Sequence, residues 1–137
     1  MIIIVCVDDH NGISFNHRRQ SMDRKLRDYI LKMCKNEKLW MSPYSFKQFA
    51  HCDKKNIYVD ENYLDKAERG EYCFVENKKV LSYESLIEKI ILCRWNRLYP
   101  SDMKFDISLN DHSWNCISID EFSGNSHDKI TVEVYER

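Results

Sequence analysis

The chain has 137 residues and a formal net charge of −1; 43% of its residues are hydrophobic and 31% are charged. This is the composition of one globular domain, and it excludes intrinsic disorder, collagen and coiled coil. The longest unbroken apolar run is seven residues, and the start lacks the basic region of a secretory signal, so we expect a cytoplasmic protein with no membrane contact.

The first two thirds of the chain alternate between strand and helix patterns. Residues 1–7 form a continuous run rich in Ile and Val, which is typical of a central strand covered on both faces. After a loop at 8–12, apolar side chains at three- and four-residue spacing predict an amphipathic helix over 22–35, capped by Ser21. The patterns also predict strands at 38–41, 56–59, 71–75 and 89–95, and helices at 43–50, 60–70 and 82–87.

The C-terminal third contains two more predicted strands, at 114–119 and 129–135. The second alternates apolar and polar side chains, as an antiparallel strand with one solvated face does. Strand–helix alternation followed by strands predicts an α/β mixed sheet, mostly parallel, with antiparallel C-terminal strands. Ligands of such sheets bind beyond the carboxyl ends of the strands. The candidate loops therefore follow Val7, Met41, Val75 and Trp95.

Cysteine and histidine spacing gives no indication of a metal site. The six cysteines occur singly, with no CxxC pair, and no two of the five histidines are separated by a single residue. We therefore expect no metal ion. Four of the cysteines lie in predicted strands, where we expect them to be small buried hydrophobic residues. They are Cys6, Cys73, Cys93 and Cys116.

Charge is distributed unevenly along the chain. Residues 17–38 contain eight Lys or Arg and three acidic residues, a net +5, whereas residues 101–137 contain three basic and eight acidic residues, a net −5. A solvated basic helix beside an acidic hairpin accounts for this pattern, and so does an anion-binding site. The sequence leaves both interpretations open.

Several short segments, taken in order, resemble dihydrofolate reductase. They are Cys6-Val7-Asp8 with Asn11-Gly12, a first helix carrying Asp23, Leu39-Trp40-Met41, and a closing hairpin with Asn125-Ser126-His127 and Val132-Glu133-Val134-Tyr135. The resemblance spans nearly the whole chain. It implies a single domain over 1–137 with the mixed sheet of that family and helices on both faces.

The resemblance also implies site residues. Asp23 stands where the family has the acidic residue that holds the pterin ring and assists its protonation, so it is the candidate catalytic residue. Its alternative role is that of an ordinary residue in the first turn of a helix. Ser45 stands where the family has a Thr that contacts the cofactor phosphate. The remaining predicted ligand-binding residues are Val7 and Cys93 in the cleft, and Arg18 and Arg19 at its mouth.

Four departures from the family concern the cofactor. Glu76-Asn77 replaces the Gly-Gly pair that lets the backbone approach a pyrophosphate, and Ser42-Pro43 replaces a Gly-Arg pair. The segment over about 51–60 is too short for the strand and loops that hold the adenine, and the loop after Gly12 lacks the family's Leu-Pro-Trp. We therefore expect no nicotinamide cofactor and no working reductase.

Three functions follow as hypotheses. The first is a dihydrofolate reductase-like scaffold that binds a small anionic ligand or a protein partner near Arg18 and Arg19. The second is an NADPH-dependent pterin reductase of reduced size. The third is a metal-independent ribonuclease using His10 and His17: residues 15–21 are similar to those of small proteins labelled ribonuclease Z, although that family's HxHxDH signature is absent. A net charge near zero gives only weak support for nucleic-acid binding.

Overall fold

The computed structural model describes residues 1–52 and 55–137. Ten strands form in this part of the chain: β1 Ile2–Val7, β2 Gly12–Phe15, β3 Arg18–Arg19, β4 Leu39–Met41, β5 Ile57–Val59, β6 Tyr72–Val75, β7 Lys89–Arg94, β8 Met103–Lys104, β9 Asn115–Phe122 and β10 Ile130–Glu136. The α-helices are α1 Arg24–Met33, α2 Pro43–Phe46 and α3 Tyr63–Lys66, and there are 3-10 helices at Lys47–Phe49 and Leu81–Leu86.

Seven of these strands form the main sheet, in the order β5-β4-β6-β1-β7-β10-β9. The central strand β1 is parallel to both β6 and β7. At the other end of the sheet, β10 is antiparallel to β7 and to β9. The predicted mixed sheet, mostly parallel with antiparallel C-terminal strands, is therefore confirmed.

Alternate side chains of β1 enter two different cores. Ile3 and Val5 pack on one face of the sheet with Tyr63 of α3, while Ile4 packs on the opposite face with Leu26 of α1. This alternation follows from the two-residue period of a strand. It explains why residues 1–7 are apolar throughout, and it places helices on both faces as predicted.

A second, small sheet was not predicted from the sequence. It has the order β3-β2-β8, with both pairs antiparallel. Asn16 and His17 join β2 to β3 with φ of 52° and 62°, which is the geometry of a two-residue type I′ turn. The segment after Gly12, which the resemblance implies to be a loop, is thus a β-hairpin made of β2 and β3.

Several helix boundaries differ from the predicted ones. Helix α1 begins at Arg24, and its cap is Asp23, not Ser21, because the Asp23 carboxylate accepts the N–H groups of Lys25 and Leu26. Helix α2 is capped by Ser42, whose side chain accepts the N–H of Ser45.

The other predicted helices are shorter. The region 43–50 divides into α2 and a 3-10 helix, and 82–87 is the 3-10 helix Leu81–Leu86. The predicted helix over 60–70 is reduced to the single turn of α3, and Gly70, with φ of 82°, lies in a turn beyond it.

All six cysteines are free thiols. Cys73 and Cys93 are buried as predicted, and Cys6 is half-buried. The predicted burial of Cys116 is wrong, because β9 is the edge strand of the sheet and Cys116 faces solvent. Among the residues described, no helix has the length and apolar character needed to cross a membrane.

Candidate functional site

A nearly filled cavity lies where the sheet was expected to bind a ligand. Its walls come from α1, from the end of β6 and from the residue after β7. The cavity has a volume of about 10 Å³, which is room for about one water molecule. Its lining includes Cys6, Ser21, Asp23, Leu26, Arg27, Phe49, Phe74, Glu76 and Trp95.

Asp23 is the centre of a buried hydrogen-bond network at this cavity. Its Oδ1 accepts the N–H groups of Lys25 at 2.9 Å and Asn125 at 2.9 Å. Its Oδ2 accepts the Ser126 N–H at 2.8 Å and lies 3.0 Å from Nδ1 of His127. One carboxylate thus links the loop between β9 and β10 to the start of α1 by hydrogen bonds.

The electrostatics of Asp23 follow from these contacts. Burial alone would raise the pKa of its carboxyl, but the N–H groups of Asn125 and Ser126 and the ring of His127 outweigh burial and lower that pKa well below its ordinary value. The group is therefore an ionised acceptor at neutral pH. The catalytic role predicted for Asp23 stays a prediction.

His127 extends the network toward the cavity. Its Nε2 lies 3.1 Å from Oγ of Ser21 and 3.0 Å from the hydroxyl of Tyr99. The ring stacks on Trp95 with a centroid distance of 4.6 Å, and the residue is only 4% exposed. Sequence patterns did not identify this cluster, since Ser21 and His127 are 106 positions apart.

Arg19 and Glu76 form a two-pronged ion pair at the end of β6. Arg19 Nε donates to Glu76 Oε2 at 2.8 Å, and Arg19 Nη2 donates to Glu76 Oε1 at 3.0 Å. The guanidinium also lies 4.3 Å from the ring centroid of Tyr44, and Gln48 donates to the same carboxylate at 3.1 Å. The Glu76 side chain is only 7% exposed. Arg19 is therefore directed inward, and its charge is already matched.

The other predicted site residues lie in different surroundings. Val7 is buried in the core, and Cys93 is buried in β7, in register with Cys6 of β1. Ser45 is buried, and its hydroxyl accepts a hydrogen bond of 3.3 Å from Ser42 within the cap of α2. Of the six predicted residues, Asp23 lines the cavity, Arg19 binds the Glu76 carboxylate in its wall, and Arg18 is exposed.

A second depression, which we call the basic groove, lies beside the β2–β3 hairpin. It is open to solvent and has a volume of about 610 Å³. Within residues 1–52 and 55–137, neither Arg18 nor Lys47 has an ion-pair partner, and both are exposed. The groove is lined by Asn16, His17, Arg18, Arg19, Tyr44 and Lys47.

The two histidines of the ribonuclease hypothesis line different surfaces. His17 lies in the basic groove, whereas His10 lies in a separate depression with Leu98 and Lys104. No group of three or more His, Cys, Asp or Glu side chains in the described part of the chain is placed to hold a metal ion.

Comparison with known proteins gives a structural match but no sequence match. No family model matches the chain, and no curated protein matches it. Among solved structures, the chain is similar to the dihydrofolate reductase from Enterococcus faecalis complexed with NADP(H) and RAB-propyl. The TM-score is 0.69, and the match covers 99% of this chain and 95% of the reductase at 11% identity.

The chain has the dihydrofolate reductase fold. The match confirms the fold that the resemblance implied, over almost the whole length of the chain. At 11% identity it establishes the fold alone, because one fold hosts many functions. Function has to be argued from the residues of the cavity and the groove.

Proposed function

We propose that this chain is a dihydrofolate reductase-like scaffold that does not use NADPH and that binds a small anionic ligand or an acidic protein partner in the basic groove. The observation that carries the proposal is the Glu76 carboxylate, which is buried at the end of β6 and held there by Arg19. Arg18 and Lys47, which are exposed and have no ion-pair partner among residues 1–52 and 55–137, give the groove its positive charge.

The residues at the end of β6 do not fit a dinucleotide. A pyrophosphate is bound by bare backbone N–H groups and is repelled by a nearby carboxylate. Glu76 supplies such a carboxylate, and displacing it would break two hydrogen bonds to Arg19 and one to Gln48. The neighbouring cavity of about 10 Å³ is too small for a pterin ring without rearrangement.

The basic groove has the features that anion binding requires. Arg18 is directed to solvent, and a guanidinium fork recognises phosphate or carboxylate with two parallel hydrogen bonds. Lys47 adds a second exposed cation from the 3-10 helix after α2. Because Arg19 already matches the charge of Glu76, that carboxylate does not cancel the positive potential of the groove.

Anion titration of purified protein tests this function. Inorganic pyrophosphate, followed by calorimetry and by backbone amide shifts, is expected to bind and to shift the resonances of residues 16–19 and 44–47. Arg18→Ala and Lys47→Ala should each weaken affinity by about tenfold, since each removes one charge-assisted contact.

The matched control is Arg69→Ala, which removes an exposed arginine outside the groove. It should leave the affinity for pyrophosphate unchanged. If the Arg18→Ala/Lys47→Ala double variant binds pyrophosphate as tightly as the wild type, the groove is not the site and the proposal fails. If the ligand is an acidic protein partner, Arg18→Ala and Lys47→Ala should weaken the affinity for an acidic peptide by the same factor.

A further inference from the structure

We propose that Ser21, His127 and Asp23 form a nucleophilic site that hydrolyses esters of small acyl groups. Ser21 Oγ lies 3.1 Å from His127 Nε2, and His127 Nδ1 lies 3.0 Å from Asp23 Oδ2. Nucleophile, base and orienting carboxylate thus follow one another at hydrogen-bond distance, the arrangement of serine hydrolases on unrelated folds.

The surroundings orient the imidazole for this chemistry. Ionised Asp23 can only accept a hydrogen bond, so the Nδ1–H of His127 is directed at it and Nε2 faces Ser21. Stacking on Trp95 and burial restrict the ring. Asp23 does not touch the substrate and acts as a positioning residue.

Tyr99 is the fourth member of this cluster. Its hydroxyl lies 3.0 Å from His127 Nε2 and 3.4 Å from Ser21 Oγ. It competes with Ser21 for the single lone pair of Nε2 in the free protein. Once Ser21 has attacked a carbonyl, the same hydroxyl is near the place where negative charge develops, and Tyr hydroxyls are known donors to such oxyanions.

The reaction balances with water as the only co-substrate. Ser21 Oγ forms a bond to the acyl carbon, its proton moves to His127 Nε2, and the C–O bond to the alcohol breaks as the alcohol takes that proton. A water molecule then attacks the acyl–serine ester and gives its proton to the same nitrogen, and the bond between the acyl carbon and Oγ breaks as Oγ takes that proton back. The products are one acid and one alcohol, and Ser21 is regenerated.

The size of the cavity limits the acyl group. Ser21 is half-buried, and the cavity it lines also has the apolar side chains of Leu26, Phe49 and Phe74 in its wall. Because the cavity has space for about one water molecule, long acyl chains are excluded and the smallest acyl groups, such as acetyl, are the expected substrates. The leaving group has more room on the side of Tyr99, which also lines an open depression of about 310 Å³ with Pro100.

Methanesulfonyl fluoride is a small reagent that tests for this nucleophile. An activated serine displaces its fluoride and keeps the methanesulfonyl group. We expect peptide mass spectrometry of the full chain to find one sulfonylated serine, Ser21, labelled at least about 100-fold faster than exposed Ser113 of the same molecule. Because Ser113 is an internal control, this measurement needs no variant. p-Nitrophenyl acetate should likewise be hydrolysed, with acetyl-Ser21 as intermediate.

Three variants separate catalysis from a purely structural network. Ser21→Ala should abolish the label, and His127→Gln should slow it at least about 100-fold while circular dichroism reports an intact fold. Tyr99→Phe removes the competing hydroxyl and should retain the label on Ser21.

Three results would overturn the proposal. They are a Ser21 rate no faster than that of Ser113, an unchanged Ser21 rate in folded His127→Gln, and a label on Tyr99 in place of Ser21. If His127→Gln does not fold, the wild-type comparison of Ser21 with Ser113 still decides the question.

Discussion

Two polar regions at the same end of the sheet differ in how their charges are matched. Around Asp23 the charge is buried, and its carboxylate oxygens accept several N–H groups. In the basic groove, the cations of Arg18 and Lys47 are exposed and have no ion-pair partner in the part of the chain that the structure describes. Removing the buried charge at Asp23 is therefore expected to cost folding stability, whereas removing an exposed cation of the groove is not.

Adjacent residues of one short strand show how this difference arises. Side chains alternate along a strand, so Arg18 and Arg19 of β3 face in opposite directions. Arg19 reaches the buried Glu76, whereas Arg18 faces solvent. The same residue type therefore has a structural role at one position and a candidate binding role at the next.

The largest expected effect is on stability at Asp23. Asp23→Ala leaves the N–H groups of Asn125 and Ser126 without their acceptor and removes the cap of α1. We expect the free energy of unfolding in urea to fall by about 3–5 kcal/mol. Asp128→Ala, at an exposed acid of the same loop, should change it by less than about 0.5 kcal/mol. If Asp23→Ala and Asp128→Ala lower the free energy of unfolding equally, the buried charge of Asp23 has no special role in stability.

The next largest effect concerns the Arg19–Glu76 pair. Arg19→Ala strands a carboxylate that is only 7% exposed, and we expect a loss of about 2–3 kcal/mol in urea unfolding. Lys89→Ala breaks an exposed pair with Glu136 and should cost less than about 1 kcal/mol. If Arg19→Ala lowers the free energy of unfolding no more than Lys89→Ala does, the buried Arg19–Glu76 ion pair does not stabilise the end of β6.

Gly124 tests how tightly the loop is packed on Asp23. A Cβ at this position would lie 2.5 Å from Asp23 Oδ2 and 2.9 Å from the carbonyl oxygen of His127. Gly124→Ala should therefore lower the free energy of unfolding by about 1–3 kcal/mol. Gly70→Ala has open space around it but a φ of 82°, so we expect a loss of about 1 kcal/mol from backbone strain. If Gly124→Ala leaves the free energy of unfolding unchanged, this loop does not pack tightly against Asp23.

Low pH is expected to reduce the contribution of Asp23 to the free energy of unfolding. The pKa of Asp23 is lowered in the folded state, so its contribution to stability is complete above the ordinary aspartate pKa of about 3.9 and is lost as the pH falls toward the folded value. Urea unfolding from about pH 5 to about pH 3 should show a smaller loss for Asp23→Asn than for the wild type. An identical pH dependence would mean that Asp23 is not the titrating group.

Sequence periodicity predicted the main sheet because long apolar strands such as β1 and β7 have clear patterns. It missed β2, β3 and β8, which are only two to four residues long. The resemblance identified Asp23, but its partners at 125–127 come from a distant loop and no local pattern predicts the contact. The same holds for Arg19 and Glu76, which are 57 positions apart.

Calorimetric titration with NADPH tests the central claim most directly, with a working dihydrofolate reductase as the positive control. Because the buried, salt-bridged carboxylate of Glu76 stands at the end of β6, we predict no saturable heat up to millimolar NADPH. Saturable, stoichiometric binding at micromolar NADPH, with amide shifts in residues 75–78, would contradict it.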